Sequence, residues 1–233
     1  RKQVQDTEKT MSSTFAQVLR EHAKARPESP ALTYNGVTWS FRDLNSLSSR
    51  SANAMRAAGV KPGDRVALLT KNCAEFYELI FACNKIGAIL VGLNWRLAAP
   101  EIAAIVHDAK PRLAIVGDDV QQLLTPDACR DAEIDRTLLL GNEFDAWRNA
   151  HDDRDPGYSG SGEEVAMLLY TSGTTGLPKG VMLTNEGMSY TRRLAEAWGM
   201  NENSVNLVAM PMFHIGGDRK STRLNSSHAN VSR

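Results

Sequence analysis

Apolar residues in this chain follow two spacings in turn, and the two spacings predict helices and strands. In residues 14–25, apolar side chains recur at Phe15, Val18, Leu19 and Ala23, as expected for one face of a helix. Short unbroken apolar runs, typical of buried strands, lie between such helices. The predicted helices are residues 14–25, 42–59, 74–86 and 100–109, and the predicted strands are 31–34, 37–41, 66–69, 88–91, 113–116, 138–140, 165–169 and 181–184. Strands that alternate with helices indicate an α/β fold with a largely parallel sheet.

A tight turn and a polar stretch interrupt this pattern. Asn35-Gly36 stands between the first two predicted strands and supplies the positive φ angles that a two-residue hairpin turn needs. Residues 142–162 are polar and rich in Asp and Gly. We therefore interpret them as a linker between the first βα layer and the strand at 165–169.

Two further elements are predicted beyond residue 184. Asn185 stands where it can cap a helix that reaches about Trp198. Residues 206–209 read as a strand that leads to Pro211.

The strongest chemical signal is in residues 170–180, which read Tyr-Thr-Ser-Gly-Thr-Thr-Gly-Leu-Pro-Lys-Gly. Glycines let backbone N–H groups approach an anion closely, hydroxyl groups donate hydrogen bonds, and a lysine adds a mobile positive charge. The hydroxyl donors within the segment are Ser172, Thr174 and Thr175, and the charge is that of Lys179. Together these groups are the parts of a polyphosphate cradle.

The segment is not a Walker A loop, because its spacing differs. Five residues after Gly173 comes Pro178 rather than glycine, and Lys179 is followed by Gly180 rather than Ser or Thr. The segment also runs from one strand-like stretch into another, which predicts a strand–loop–strand hairpin. An ordinary Gly/Thr-rich turn is the alternative, although a plain hairpin does not need so many of these residues.

These residues resemble the signature loop of the adenylate-forming enzymes, which include acyl-CoA synthetases, luciferases and the adenylation domains of peptide synthetases. Every position fits the family pattern. Residues 94–97 (Asn-Trp-Arg-Leu) and 100–102 (Pro-Glu-Ile) resemble a region of fatty-acyl-CoA ligases, and residues 211–217 resemble the Phe-His motif beside the acyl pocket. The resemblance extends over about residues 14–217 and implies a partial N-terminal domain of the adenylate-forming fold.

The resemblance also implies a reaction in two steps that uses ATP, Mg²⁺ and CoA. The resemblance favours a medium- or long-chain fatty acid as the substrate. Its carboxylate attacks the α-phosphorus of ATP to give an acyl-adenylate, and CoA thiolate then displaces AMP. The residues that the resemblance assigns to the β- and γ-phosphates are Thr171, Ser172, Gly173, Thr174, Thr175, Gly176 and Lys179. It assigns catalytic roles to Lys179 and His214, places His214 beside the reacting carboxylate, and gives Gly216 and Gly217 the task of leaving room for the acyl chain.

Two other functions stay open at this point. One is a different adenylate-forming enzyme that acts on an aryl acid or an amino acid. The other is a non-catalytic module that uses the loop only to hold phosphate. The release of pyrophosphate by a full-length protein would separate an enzyme from such a module.

Composition narrows the partners and the compartment. The chain has 233 residues, 27 basic and 27 acidic residues and 42% hydrophobic residues, so its balanced charge gives no indication of nucleic-acid or membrane-surface binding. No apolar run approaches the roughly 18–20 residues of a membrane span. Cys73, Cys83 and Cys129 lack metal-site spacing, and we expect reduced thiols in a cytoplasmic protein.

The two ends of the chain differ from the domain that we expect at residues 11–217. Residues 1–10 precede Met11 and are interpreted as an extension. Residues 218–233 are interpreted as a non-native tail, because residues 218–228 match the translation of a widely used sequencing adapter. The family's Tyr-Gly-x-Thr-Glu and Thr-Gly-Asp segments and its C-terminal lysine are absent, so we expect this chain alone to be inactive.

Overall fold

The structure, a computed structural model, describes residues 14–171, 178–189, 197–201 and 203–213. The helices are α1 (Phe15–Ala25), α2 (Phe41–Ala57), α3 (Glu75–Asn84), α4 (Ala99–Ala109), α5 (Pro126–Asp131) and α6 (Asn142–Asn149), and a 3₁₀ helix spans Asp118–Leu123. The strands are β1 (Pro30–Tyr34), β2 (Val37–Ser40), β3 (Arg65–Leu69), β4 (Ile89–Leu93), β5 (Leu113–Val116), β6 (Arg136–Leu139), β7 (Val165–Thr171) and β8 (Lys179–Thr184). None of the described helices is both long enough and apolar enough to cross a membrane.

The first two strands form the predicted hairpin. Strands β1 and β2 pair antiparallel, with Tyr34 opposite Val37. Asn35 and Gly36 both have positive φ angles, 48° and 78°. This left-handed pair lets the chain reverse within two residues, so the prediction from Asn-Gly is confirmed.

The remaining strands form one sheet in the order β6-β5-β3-β4-β7-β8. Each neighbouring pair from β6 to β7 is parallel, and β8 joins at the edge as the antiparallel partner of β7. The α/β class with a largely parallel sheet is therefore confirmed. The strand–loop–strand hairpin that the signature loop predicts is confirmed as β7 and β8.

Helices cover both faces of this sheet, because the central strands are apolar on both sides. Val66 and Leu68 of β3 pack with α3 residues such as Leu79 in one core cluster. Ala67 and Leu69 of the same strand pack with α4 in a second cluster. Burial on both faces explains why these strands read as unbroken apolar runs and not as alternating patterns.

The segment at residues 142–162 corrects the linker interpretation. It begins with α6, in which Phe144 is fully buried and Arg148 forms an ion pair with Glu78 of α3 at 3.1 Å. The helix was missed because it is short and shows only one fully buried apolar position among charged ones. The polar composition describes its outer surface correctly.

Residues 150–162, which we call the strap, have no regular secondary structure and contact α1 and α2. Arg20 of α1 binds both carboxylate oxygens of Asp155, at 2.9 and 2.6 Å, and the Tyr158 carbonyl at 3.1 Å. Asn53 of α2 donates to the carbonyl oxygens of Asp152 and Arg154 at 3.0 and 2.8 Å. The strap is thus a fixed part of the domain, held mainly by polar contacts.

Asn185 does not cap the helix that follows β8. The Thr184 hydroxyl performs that role, since it accepts a hydrogen bond from the Gly187 N–H at 3.0 Å. The Asn185 side chain is buried instead, accepting from the Asn84 amide at 2.9 Å and donating to the Ser161 carbonyl at 3.1 Å. The helical stretch includes residues 185–189, and residues 190–196 lie outside the described part.

Residues 206–209 are not a strand, which corrects the second prediction for this region. Val205 is 97% exposed and Leu207 is 62% exposed. Within the described residues, no strand pairs with this segment. A strand needs a neighbouring strand to bind its backbone N–H and C=O groups. Without one, these groups bind other partners and the segment stays irregular.

Candidate phosphate-binding site at the carboxyl edge of the sheet

Several polar residues lie together at the carboxyl ends of the parallel strands. Thr70 follows β3, Asn94 follows β4 and Gly117 follows β5, while β7 ends at Thr171. Thr70 and Gly117 are so close that a side-chain carbon on residue 117 would lie 2.8 Å from the Thr70 hydroxyl. In open α/β sheets this edge is where ligands bind.

The β7–β8 hairpin sets the base of the signature loop. Thr171 pairs directly with Lys179 across the two strands, and both side chains are exposed. Directly opposite residues in an antiparallel pair have Cβ atoms about 4.5–5.5 Å apart. The sheet therefore starts an exposed threonine side chain and an exposed lysine side chain from directly opposite positions.

Tyr170 and Gly180 fix this hairpin on the sheet. The Tyr170 hydroxyl donates to the Asp108 carboxylate of α4 at 2.5 Å. Burial, together with that carboxylate, raises the pKa of Tyr170. Gly180 lies opposite Tyr170, and a side-chain carbon there would lie 3.1 Å from the Tyr170 ring. The close approach of the Tyr170 ring thus explains the last glycine of the signature segment. The hydrogen bond from Tyr170 to Asp108 attaches the hairpin to α4.

The other predicted loop residues lie outside the described part of the chain. These residues are Ser172, Gly173, Thr174, Thr175 and Gly176. Their phosphate contacts remain predictions.

The segment that leads to the Phe-His motif also lies at this edge. Phe213 is 8% exposed, and its Cα would lie 3.3 Å from a side-chain carbon placed on Gly92 of β4. His214, Gly216 and Gly217 lie outside the described residues, so their roles beside the acid remain predictions. The structure does bring Phe213, the residue before His214, to the carboxyl ends of the strands, where β7 leads into the signature loop.

Asn72 makes a contact at this edge that its sequence position does not predict. It follows β3, and its carboxamide donates to the Met210 carbonyl at 2.9 Å and accepts from the Met212 N–H at 3.0 Å. A lone asparagine in a loop gives no sequence signal of this kind. Only its contact with residues almost 140 positions away shows what it does.

Two further cations follow the carboxyl ends of β3 and β4. Lys71 forms an ion pair with Asp119 at 2.7 Å and lies 5.4 Å from the Trp95 ring centroid. The Arg96 guanidinium lies 4.7 Å from the Trp95 ring and 5.9 Å from the Phe213 ring. Asp119 balances the charge of Lys71, so Arg96 and Lys179 are the cations of this edge that an anionic ligand could meet.

The described residues contain no cluster of metal-ligating side chains. Among them, no group of three His, Cys, Asp or Glu side chains could hold a metal ion.

Thiol chemistry is not supported at Cys73 and Cys83. Burial raises the pKa of Cys73 to about 12 and raises that of Cys83 as well. A thiol nucleophile must be deprotonated, and these groups are held protonated at neutral pH. Both act as packing residues.

Comparison with known proteins gives the family. The chain matches the AMP-binding enzymes over residues 19–219. It is 37% identical over 210 residues to a fatty acid–acyl-carrier-protein ligase, ScoC, of Streptomyces coeruleorubidus, covering 88% of this chain and 40% of that protein. It is 35% identical over 201 residues to a feruloyl-CoA synthase of an Amycolatopsis species, covering 82% of this chain and 38% of that protein.

The fold agrees with that relationship. A fatty acyl CoA synthetase from Mycobacterium tuberculosis superposes with a TM-score of 0.74 at 27% identity, covering 88% of this chain and 41% of that one. The chain spans about 40% of the length of the curated relatives it matches. The family model matches most of the chain, and the two strands that flank the signature loop pair as a hairpin. The chain therefore belongs to the AMP-binding enzyme family, the adenylate-forming acid ligases that its loop resembles.

Proposed function

We propose that the protein carrying this chain uses ATP to activate a carboxylic acid as an acyl-adenylate and then transfers the acyl group to a thiol. The observation that carries the proposal is the pairing of Thr171 with Lys179 at the base of a full signature loop. In such chemistry the carboxylate oxygen bonds to the α-phosphorus, and pyrophosphate leaves. A thiolate then attacks the acyl carbon, and AMP leaves.

The described residues contribute positioning and charge in the first step. Phosphoryl-type transfer needs little covalent help from a protein, so catalysis depends on holding the reactants in line and neutralising developing charge. Lys179 would neutralise charge on the phosphates, and Thr171 would donate a hydrogen bond to them. ATP would arrive with Mg²⁺ as its counter-ion. His214 is proposed to contact the reacting carboxylate, and Gly216 and Gly217 to leave space for the acyl chain.

We propose a medium- or long-chain fatty acid as the substrate and CoA as the thiol. The support is the likeness of residues 94–102 and 211–217 to fatty-acyl ligases, together with relatives named for fatty acids. The feruloyl-CoA synthase among the relatives supports an aryl acid as the second candidate. The carrier-protein ligase supports a protein-bound thiol as the second acceptor.

Acid-dependent exchange of labelled pyrophosphate into ATP tests the first step in the full-length protein. A panel of decanoate, palmitate, ferulate and an amino acid identifies the acid, and CoA against a carrier protein identifies the thiol. We expect exchange with the fatty acids and product formation with CoA. If no acid in a broad panel supports exchange, the enzyme is not an acid ligase. Pyrophosphate binding without exchange would favour the phosphate-binding module.

We also propose that the 233-residue chain alone does not catalyse exchange. The support is that it spans about 40% of the length of its relatives and carries only the loop and the Phe-His segment of the family's motifs. Exchange by the isolated chain at a rate near that of the full-length protein would contradict this proposal.

A further inference from the structure

A side chain holds the segment before His214 at the carboxyl edge, and none of the described strands pairs with that segment. Residues 204–209 have no helix or strand structure, and Val205 and Leu207 are largely exposed. The next residues differ, because Met212 and Phe213 are 7% and 8% exposed. The chain is therefore anchored abruptly, over residues 210–213.

Asn72 makes that anchor. Its Nδ2 donates to the Met210 carbonyl at 2.9 Å, and its Oδ1 accepts from the Met212 N–H at 3.0 Å. One carboxamide thus pairs with residues i and i+2 of the segment, as the peptide groups of an adjacent strand would. Only a group that offers one donor and one acceptor in this geometry can make both bonds.

Asn72 itself is fixed in place. It stands between β3 and α3, and its own carbonyl accepts a hydrogen bond from the Tyr34 hydroxyl at 2.8 Å. A second contact involves Gly92 of β4, where a side-chain carbon would lie 3.3 Å from the Phe213 Cα. The Asn72 carboxamide and the bare glycine together define where the segment can lie.

We infer that Asn72 is a positioning residue for the acid substrate: its carboxamide sets the position of residues 210–213 and, through them, of the Phe-His motif. The inference rests on the proposed function, in which that motif lies beside the reacting carboxylate. Asn72 is not part of the phosphate loop, which connects β7 to β8. Loss of the carboxamide should therefore affect the acid and leave ATP binding unchanged.

The kinetic test uses three variants of the full-length protein. Asn72→Ala removes both hydrogen bonds. Asn72→Asp keeps the shape but loses the donor, and it places a carboxylate against the Met210 carbonyl. Asn53→Ala is the matched control, because Asn53 also holds an irregular segment through its carboxamide, at the strap.

We expect both Asn72 variants to raise the KM for the acid about 10-fold to 100-fold, as misplacement of a positioning element does, with the KM for ATP changed less than about twofold. Asn53→Ala should lower the melting temperature without changing either KM. An unchanged KM for the acid in both Asn72 variants, or an equal rise for ATP, would overturn the inference. If the unsubstituted protein shows no acid-dependent exchange at all, the proposed function fails instead.

Hydrogen exchange tests the anchor without activity. The Met212 amide should exchange slowly in the unsubstituted protein and about 10-fold or more faster in Asn72→Ala, since its acceptor is lost. The Gly187 amide, bound to Thr184, should not change. If Met212 exchanges at the same rate in both proteins, Asn72 does not hold the segment.

Discussion

At the scale of single residues, exposure separates the groups that would meet a ligand from the groups that hold the fold. Thr171 and Lys179 are exposed at the base of the loop. Asn185 and Glu78 are 1% and 3% exposed, and their polar atoms are bound to other parts of the protein. Substitution should therefore change catalysis at the first pair and stability at the second.

Lys179→Ala in the full-length protein is expected to slow adenylation about 10-fold to 1000-fold, as loss of one charged contact to a phosphoryl group does. The melting temperature should hardly change, because the side chain is exposed. Pyrophosphate exchange and thermal unfolding measure the two effects. Lys24→Ala, at an exposed lysine of α1, is the control. A Lys179→Ala rate within twofold of the unsubstituted protein would remove Lys179 from the site.

Glu78 should make stability fall as pH rises. Burial outweighs the attraction of Arg148 and raises the pKa of Glu78 from 4.5 to about 7. Between these two values the unfolded chain releases a proton that the folded protein keeps, so the free energy of unfolding decreases with rising pH. The decrease should be on the order of 1–3 kcal/mol and complete above the folded pKa.

Urea unfolding at pH 5, 6, 7 and 8 measures this decrease in the unsubstituted protein and in Glu78→Gln. The variant keeps the other titrating groups, so the difference between the two proteins isolates Glu78. Parallel stability curves for the two proteins would show that Glu78 ionises normally.

At the scale of elements, polar contacts fix segments that have no regular structure. The strap illustrates this, because its partners lie on α1, on α2 and just after α3. The Lys85 ammonium, fully buried after α3, donates to the Ser49 hydroxyl at 2.7 Å and lies 3.5 Å from the Asp155 carboxylate. Asp155 thus meets Arg20 and Lys85 together, which makes it the centre of the strap.

Arg20→Ala is expected to lower the free energy of unfolding by about 1–3 kcal/mol, because it breaks a two-bond contact to Asp155 and a third bond to the Tyr158 carbonyl. Both charged side chains are about 30% exposed, so the loss is smaller than for a fully buried pair. Arg42→Ala is the control, because its ion pair with Glu28 is 65% and 73% exposed. Its cost should stay within about 0.5 kcal/mol. Equal costs for the two variants would show that the strap contact contributes little.

At the scale of the whole molecule, one sheet is covered by helices on both faces and gathers several loops at its carboxyl edge. The signature hairpin, Asn72 and the segment that leads to His214 all meet there. The two apolar faces of the sheet supply stability, and the proposed chemistry takes place at the edge. Changes beyond residue 217 should therefore act differently from changes in residues 210–213.

Deleting residues 218–233 is expected to leave the free energy of unfolding unchanged within about 0.5 kcal/mol, because the tail is interpreted as non-native and has little apolar content. A chain that ends at residue 209 is the contrasting variant. It loses the buried Met212 and Phe213 side chains, and each such loss costs about 2–5 kcal/mol. Urea unfolding of the three chains measures both effects. A marked loss of stability on deleting only the tail would show that residues 218–233 belong to the folded domain.

The sequence by itself predicted the elements that local physics controls. Unbroken apolar runs predicted the buried strands, since a strand covered on both faces has no polar side to display. Asn35-Gly36 predicted its turn because asparagine and glycine adopt positive φ angles more readily than other residues do. The spacing of residues 170–180 excluded a Walker A loop and predicted the β7–β8 hairpin. The resemblance of the same residues indicated the family.

Only the tertiary structure decided what the remaining polar residues do, because their partners are distant in sequence. Asn185 looked like a helix cap and became a buried amide that joins Asn84 to the strap residue Ser161. Residues 206–209 looked like a strand, but no described strand lies beside them, and Asn72 holds the following residues instead. A hydrogen bond depends on where two groups meet in space, and a single sequence shows only which groups are available to meet.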